Sequence, residues 1–573
     1  MKRMMTYIRP YYGYMALTIV IKFIGTVMDL VIPYLISHMI DYVAPSVTRE
    51  HLSPIFWWGG VMVLCAAVAL VCNVSANWRT SRFASLVTRK LRGDLFDKIL
   101  SLSAAQTDRL TVPSLVARMT SDTYTVNGML GVIFRSGLRA PLLLIGGVAL
   151  TLSIEPVLAM TMIAVLPPLG FFVTVISRKG IRLHRRKQKR VDTMVEKVRD
   201  SFTGIRVIKA LSKIDREKDD FREVNETLSR SEEKAGIVTG LSNPVSSLVL
   251  NLGMTAVVAL GAWRVFTGHT MPGQIIAFLS YFSIILNSTL GLSFVFNHLS
   301  RGAASIGRIT EVLEEKEEML LLPSREAVEG APFLEFRNVS FSYDKKSTVL
   351  QDISFSLEKG QTLGILGGTG SGKSTLIALM LRFYDPDQGE ILFEGRPLAS
   401  CDPREVRGRL GVVFQNDFLM ADTLEENILF TRSLSHPMVE KAALAAQALP
   451  FIEEKEGGFD YRLTTKGNNL SGGQRQRVLL SRAMASSPEL LILDDAASAL
   501  DYKTDAALRR AISEHYASAA CVVVAQRVSS VKGANCILVL EGGRTVGQGT
   551  HEELLSECEI YREIARSQMG VTE

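Results

Sequence analysis

Cysteine is scarce and unpaired in this sequence. The chain has six, Cys65, Cys72, Cys401, Cys521, Cys536 and Cys558, and no two share the spacing of a disulfide framework. They read as reduced thiols serving as small core residues. Excess charge is lacking too. A formal net charge of +6 over 573 residues is mild and calls for no nucleic-acid partner. The start, MKRMMTYIRPYYGYM, is basic, but no short apolar core with a small-residue cleavage site follows it. It reads as a cytoplasmic lead into a membrane span rather than a removed signal.

The most informative absence is that of Asp, Glu, Lys and Arg from long stretches before residue 311. A bilayer core takes about 20 mostly apolar residues per helix. Windows 11–43, 52–78, 126–154, 156–177, 235–263 and 271–300 qualify, and the second, fourth, fifth and sixth carry no such charge at all. The third is interrupted by Arg135 and Arg139, and its uncharged part, 140–154, is too short to span alone. Hydrophobic residues make up 47% of the chain and mean hydropathy is +0.19. That overrides the roughly four soluble domains of about 150 residues that length alone would suggest.

Two basic runs, RKLRGDLFDK and RKGIRLHRRKQKR, follow the second and fourth windows, whereas the links after the first, third and fifth are short and almost free of Lys and Arg. Both termini and the two long connections are therefore expected in the cytoplasm, with RLHRRKQKR meeting lipid head groups rather than nucleic acid. The connections 79–105 and 179–234 hold almost no Pro or Gly and keep helical apolar spacing. The spans should continue as helices into the cytoplasm, about 37 Å for 25 residues. Turns are expected at TVPSLVARMTSD (near 113–122) and TGIRVIKALSK (near 203–213). A charged linker, 312–331, precedes FLEFRNVSFSY, which alternates like a strand and opens a mixed domain at 332–573. The expected fold is a membrane α-helical bundle, 1–311, of six long helices extending into the cytoplasm, followed by a C-terminal α/β domain with a phosphate loop.

That loop is GILGGTGSGKST. Gly367, Gly368, Thr369, Gly370, Ser371, Gly372, Lys373 and Ser374 fit G-x-x-x-x-G-K-[ST], after an apolar strand and before a helix that continues with Thr375. Glycines let backbone N–H groups turn toward phosphate oxygens, and the helix N-terminus favours negative charge. Lys373 is expected to reach the β- and γ-phosphates, and Ser374 to bind Mg²⁺. LLILD ends a buried strand on Asp494, the expected holder of Mg²⁺ through water.

Between these two motifs lies LSGGQRQR, which supplies Leu470, Ser471, Gly472, Gly473 and Gln474. In chain order come the phosphate loop, VVFQND with Gln415, LSGGQ, LLILDD, SALD with Asp501, and VVVAQR with Gln526. In this order and spacing the whole length resembles the half-transporters of ATP-binding cassette (ABC) exporters, six spans followed by one nucleotide-binding domain. The resemblance implies ATP and Mg²⁺ as cofactors, a lipid bilayer, and a head-to-tail dimer in which the signature Leu470–Gln474 touches a nucleotide held by a second half-transporter. It implies that Tyr343 stacks on adenine, that Gln415 is a catalytic residue and a Mg²⁺ ligand, that Asp501 lies in the loop between the sites, and that the turns near 113–122 and 203–213 are coupling helices.

Two positions depart from the family pattern. The acid after the Mg²⁺ aspartate is normally Glu and is here Asp495, shorter by one C–C bond of about 1.5 Å. A base must sit within about 2.6–3.2 Å of its proton, and misplacement by about 1 Å costs on the order of a hundredfold. Gln526 stands where the family has His, and an amide carries no titratable charge. One departure alone is compatible with Asp495 capping the next helix while a water bridges the gap. Together they resemble the degenerate-site subunit of heterodimeric bacterial multidrug-type exporters, with a partner bringing Glu and His.

The resulting expectation is a bacterial, multi-pass cell-membrane subunit with its ATPase domain in the cytoplasm, moving amphipathic or apolar compounds outward by alternating access. A lipid flippase, a peptide exporter and an ATP-gated regulatory or channel protein are the alternatives. Lys22 and Asp29, seven apart on one helix face, either neutralise each other or touch substrate. Arg135 and Arg139 are expected to snorkel at the cytoplasmic end of the third span.

Overall fold

The computed structural model describes residues 2–46, 52–316, 328, 330–415 and 417–569, so most of the expected linker lies outside the described residues. The chain divides into two units: residues 1–100 with 113–314, and residues 101–112 with 315–573.

The first unit is helical. Among the described residues six helices are long and apolar enough to cross a membrane: Arg3–Ser46, Ser53–Leu100, Val112–Ile154, Pro156–Thr203, Ile214–Phe266 and Pro272–Leu313. Ser53–Leu100 runs unbroken for 48 residues, about 72 Å at 1.5 Å per residue, more than twice an apolar bilayer core. Phe56, Trp57 and Val63 on this helix are exposed, which only an apolar solvent or a neighbouring helix makes favourable. The third span passes through both arginines, with a wider π-type turn at Ile133–Gly137. Inside the unit, Leu158, Met162, Phe278, Phe282 and Ile285 are buried, and the Tyr281 hydroxyl donates to Leu30 O at 2.7 Å, tying the sixth span to the first.

The turn expected near 113–122 falls earlier. Helix Ala104–Leu110 stands apart, closed by a reciprocal cap in which Ser103 Oγ accepts from Gln106 N and Gln106 Oε1 accepts from Ser103 N, both at 3.1 Å. Thr111, at φ 60°, ends it, and 112–122 already belongs to the third span. Pro113 accounts for the shift. In the first turn of a helix its missing N–H costs nothing, so it opens a helix instead of breaking one. The second interruption lies at Gly204 and Ser212, on either side of Ile205–Ala210.

The second unit is α/β. A six-stranded sheet is ordered β10-β9-β3-β8-β7-β6, with β3 at Thr362–Gly367, β6 at Leu410–Val413, β7 at Leu490–Asp494, β8 at Ala520–Ala525, β9 at Cys536–Glu541 and β10 at Arg544–Gly549. β6, β7, β8, β3 and β9 run parallel, and β10 is antiparallel to β9. A second, antiparallel sheet holds β1 at Leu334–Phe341, β2 at Leu350–Leu357, β4 at Gln388–Phe393 and β5 at Arg396–Pro397. Leu334, Phe336 and Ile353 of this sheet share one apolar core with Ile365, Ile492 and Val522 of the other and with Leu376 and Ile377 of the phosphate-loop helix. The strands LLILD and ACVVVA are buried almost throughout, as parallel strands covered on both faces must be.

Candidate nucleotide site

β3, β7 and β8 are neighbours in the parallel part of the sheet, so the loops leaving their carboxyl ends converge. They enclose a cleft of about 320 Å³ lined by Thr369, Gly370, Gly372, Lys373, Ser374, Thr375, Gln415, Asp494, Asp495 and Gln526, with Val349, Val524 and Ala525. Segments more than a hundred residues apart in sequence thus meet in one pocket. Val349, just before β2, was not marked by any motif. It reaches the cleft because Val349 N pairs with Phe341 O at the mouth of the β1–β2 hairpin.

The loop residues fit a phosphate. Gly370 and Gly372 have φ of +81° and +100°, and a Cβ on Gly372 would meet Leu350 Cδ2 at 2.5 Å. Ser371 is buried, and its hydroxyl has no partner among the described residues. Lys373 Nζ donates to Gly367 O at 2.8 Å and to Gly368 O at 2.6 Å, so the ammonium lies over the loop at the cleft wall. Burial pulls its pKa down, against the opposing pull of Asp494 and Asp495. Asp494 is held above the usual aspartate value chiefly by burial, with Asp495 adding to the rise and the neighbouring Gln415 N–H, Lys373 and the Ser374 hydroxyl opposing it. One carboxylate with hydroxyl and amide oxygens beside a phosphate cradle is the donor chemistry Mg²⁺ takes with a nucleotide.

Asp495 is also raised by burial, with Arg527 and Lys373 pulling the other way. Its backbone is unusual: φ is +51°, directly after the straight strand β7, and its N–H donates to Val524 O at 2.9 Å. The left-handed region costs most non-glycine residues about 1–2 kcal/mol, and Asp is among those that enter it most readily. The turn therefore suits an aspartate.

Other expected residues do not line the cleft. Gly367, Gly368 and Ser371 belong to the same loop but are not among the lining residues. Tyr343 stands beside it, its hydroxyl 3.2 Å from Thr375 Oγ1 and its ring edge-on to Phe341 and Tyr384. Leu470, Ser471, Gly472, Gly473 and Gln474 lie elsewhere, at the start of helix Gly472–Met484. There Ser471 Oγ accepts from Gln474 N at 3.2 Å, and Gln474 Oε1 accepts from Ser471 N at 3.0 Å. Gln474 is thus engaged in capping its own helix, whereas the Ser471 O–H keeps a proton to donate. Asp501 caps helix Tyr502–His515 by accepting from Thr504 N at 2.8 Å.

In the first unit, Lys22 and Asp29 do not neutralise each other. Seven residues of helix set their backbones about 10 Å apart, and each side chain takes a partner on another helix. Asp29 pairs with Arg139 at 2.8 Å, and Lys22 Nζ donates to Asn73 Oδ1 at 3.0 Å and Asn77 Oδ1 at 3.2 Å. Asn73 links the two by donating to Asp29 at 3.3 Å. Arg139 is therefore held by an ion pair rather than snorkelling, and Arg135 Nε donates to Gly131 O at 3.1 Å.

A parallel sheet with a glycine phosphate cradle and an adjacent carboxylate, joined in one chain to six membrane-length helices, defines a membrane protein with a nucleotide-binding engine. Family models agree: "ABC transporter transmembrane region" matches residues 15–289 and "ABC transporter" matches residues 350–498. The chain is 31% identical to the ABC transporter ATP-binding protein YfiB of Bacillus subtilis, covering 100% of this chain and 99% of that one. It is 29% identical to ATP-binding cassette sub-family B member 10, mitochondrial, of Mus musculus, covering 98% of this chain and 80% of that protein. The fold is similar to a bacterial Atm1-family ABC exporter solved with ATP bound, with TM-score 0.81, 23% identity and 99% coverage of both chains. The chain belongs to the ABC transporter family, as a half-transporter with the exporter fold.

Proposed function

We propose that this chain is one subunit of an ATP-driven exporter of amphipathic or apolar compounds, paired with a different half-transporter, and that its own ATP site is hydrolytically weakened. The observation that carries the reading is that Asp495 and Gln526 line the same cleft. Both departures then act on one nucleotide. Gly370, Gly372, Lys373 and Ser374 would hold the phosphates, Asp494, Ser374 and Gln415 would hold Mg²⁺, and Tyr343 would take the adenine. Asp495 would be too short to orient water well, and Gln526 would offer the γ-phosphate a neutral contact. Ser471, Gly472 and Gly473 would complete the partner's site, with Asp501 between the two. Ile205–Ala210 and Ala104–Leu110 would be the coupling helices, and both termini and the ATPase domain would lie in the cytoplasm.

The test is ATP turnover of the purified chain without a partner, beside its ATP affinity. Tight binding with slow turnover is expected, Asp495→Glu recovering only part of the rate and Asp495→Glu with Gln526→His recovering more. Rapid turnover by the unmodified chain alone would overturn the weakened-site reading.

A further inference from the structure

We propose that Gln568, on the C-terminal helix Glu559–Met569, is a positioning residue for Gln526, and that this helix braces one wall of the nucleotide cleft. The proposal rests on the reading of Gln526 as a γ-phosphate contact.

β8 ends at Ala525, and Gln526 and Arg527 lead into a single helical turn, Val528–Val531. A helix start leaves backbone N–H groups without partners, and the residue at the cap position, Arg527, makes no side-chain cap. Gln568 supplies it from the far end of the chain. Its Oε1 accepts from Val528 N at 2.8 Å, and its Nε2 donates to Gln526 O at 2.9 Å. One amide thus grips both ends of the short segment that carries Gln526 into the cleft. Only a side chain with a donor and an acceptor at that reach does both: Glu keeps the acceptor alone, and Met keeps neither.

The brace has a firm base. Tyr561 and Ala565, on the same helix face as Gln568 by their spacing of four and three, are 0% and 2% exposed. They pack in one cluster with Ala525, Val528 and Val531, and with Leu366, which precedes the phosphate loop. Gln568 itself is exposed, so its amide contributes geometry rather than core packing.

The experiment measures affinities of the full-length chain in detergent for a slowly hydrolysed ATP analogue, ATPγS, and for ADP, both with Mg²⁺. Gln526→Ala should lower the preference for ATPγS about threefold to tenfold, the worth of one hydrogen bond. Gln568→Met should lower it to a similar extent with ADP affinity unchanged, the double variant should lose little more, and Gln568→Glu should fall between. A preference untouched by Gln568→Met but lost in Gln526→Ala would overturn the brace and leave the reading of Gln526 standing. No change in either variant would overturn both. An equal loss of ADP affinity in Gln568→Met would also overturn the proposal, since a brace acting through Gln526 leaves the rest of the cleft intact.

Discussion

Gln476 holds Asp495 from behind: its Nε2 donates to the Asp495 carbonyl at 3.2 Å, while its Oε1 accepts from Ala499 N at 3.0 Å. Gln476 lies on helix Gly472–Met484, one turn after Ser471. The helix that presents the signature and the loop that presents Asp495 are therefore joined through one amide. Gln476→Leu keeps the size and removes both bonds. If the signature helix completes the partner's competent site, loosening that helix from the loop should slow ATP turnover of the assembled transporter about tenfold or more, with ATP affinity little changed. Steady-state rates beside nucleotide titrations check this, and unchanged turnover would show the bond to be structural only.

Ser471→Ala and Lys373→Ala should differ in the assembled pair. If Ser471 completes the partner's competent site, losing its donor should cost roughly a hundredfold in turnover. On the same reading Lys373 would hold nucleotide in the site that carries Asp495 and Gln526, so Lys373→Ala should loosen ATP binding and slow the cycle without stopping it. Hydrolysis at saturating ATP decides. Abolition by Lys373→Ala with a mild Ser471→Ala effect would reverse the assignment of the two sites.

Acid should weaken the second unit through Glu394. Its carboxylate meets Arg409 at 2.7 Å and Lys359 at 3.0 Å, and these partners, Arg409 first, hold its pKa down to about 2 from an ordinary 4.5. The stabilisation is complete above pH 4.5 and disappears as pH falls toward 2. Solvent screening leaves a contribution of about 1–2 kcal/mol. Glu394→Gln should lower the melting temperature of the detergent-solubilised chain at pH 7, with a gap from the unmodified chain that closes on acidification. A gap of constant size between neutral and acid pH would rule out this ion cluster as its cause.

Orientation has a direct readout. The turn between the fifth and sixth spans holds Thr267, and Lys213 follows the short helix Ile205–Ala210. With the six native cysteines replaced, a cysteine at Thr267 should react with a membrane-impermeant maleimide from outside intact cells. One at Lys213 should react only after the membrane is opened. The opposite pattern would invert the membrane topology inferred from the basic connections.

The six spans, the phosphate loop and the strand ending on Asp494 were legible in the sequence because each is set by local rules. A bilayer demands a run of about 20 apolar residues, and a phosphate cradle demands glycines at set spacing before a helix. The turn expected near 113–122 shows the limit of local reading: Pro113 stands in the first turn of the third span, and the short helix lies before it. What required the tertiary structure was pairing between residues distant in sequence. Asp29 meets Arg139 rather than Lys22, because a helix holds two of its own residues at a set separation while a neighbouring helix can bring a partner to contact. Asp495 and Gln526 share one cleft because β7 and β8 are adjacent in the parallel sheet. Gln568, behind Gln526, carries no motif, and Gln476, although it lies within LSGGQRQR, has no spacing that marks it as the residue behind Asp495. A side-chain amide that bonds to backbone atoms is chosen by where the fold places those atoms, and no local spacing records that position.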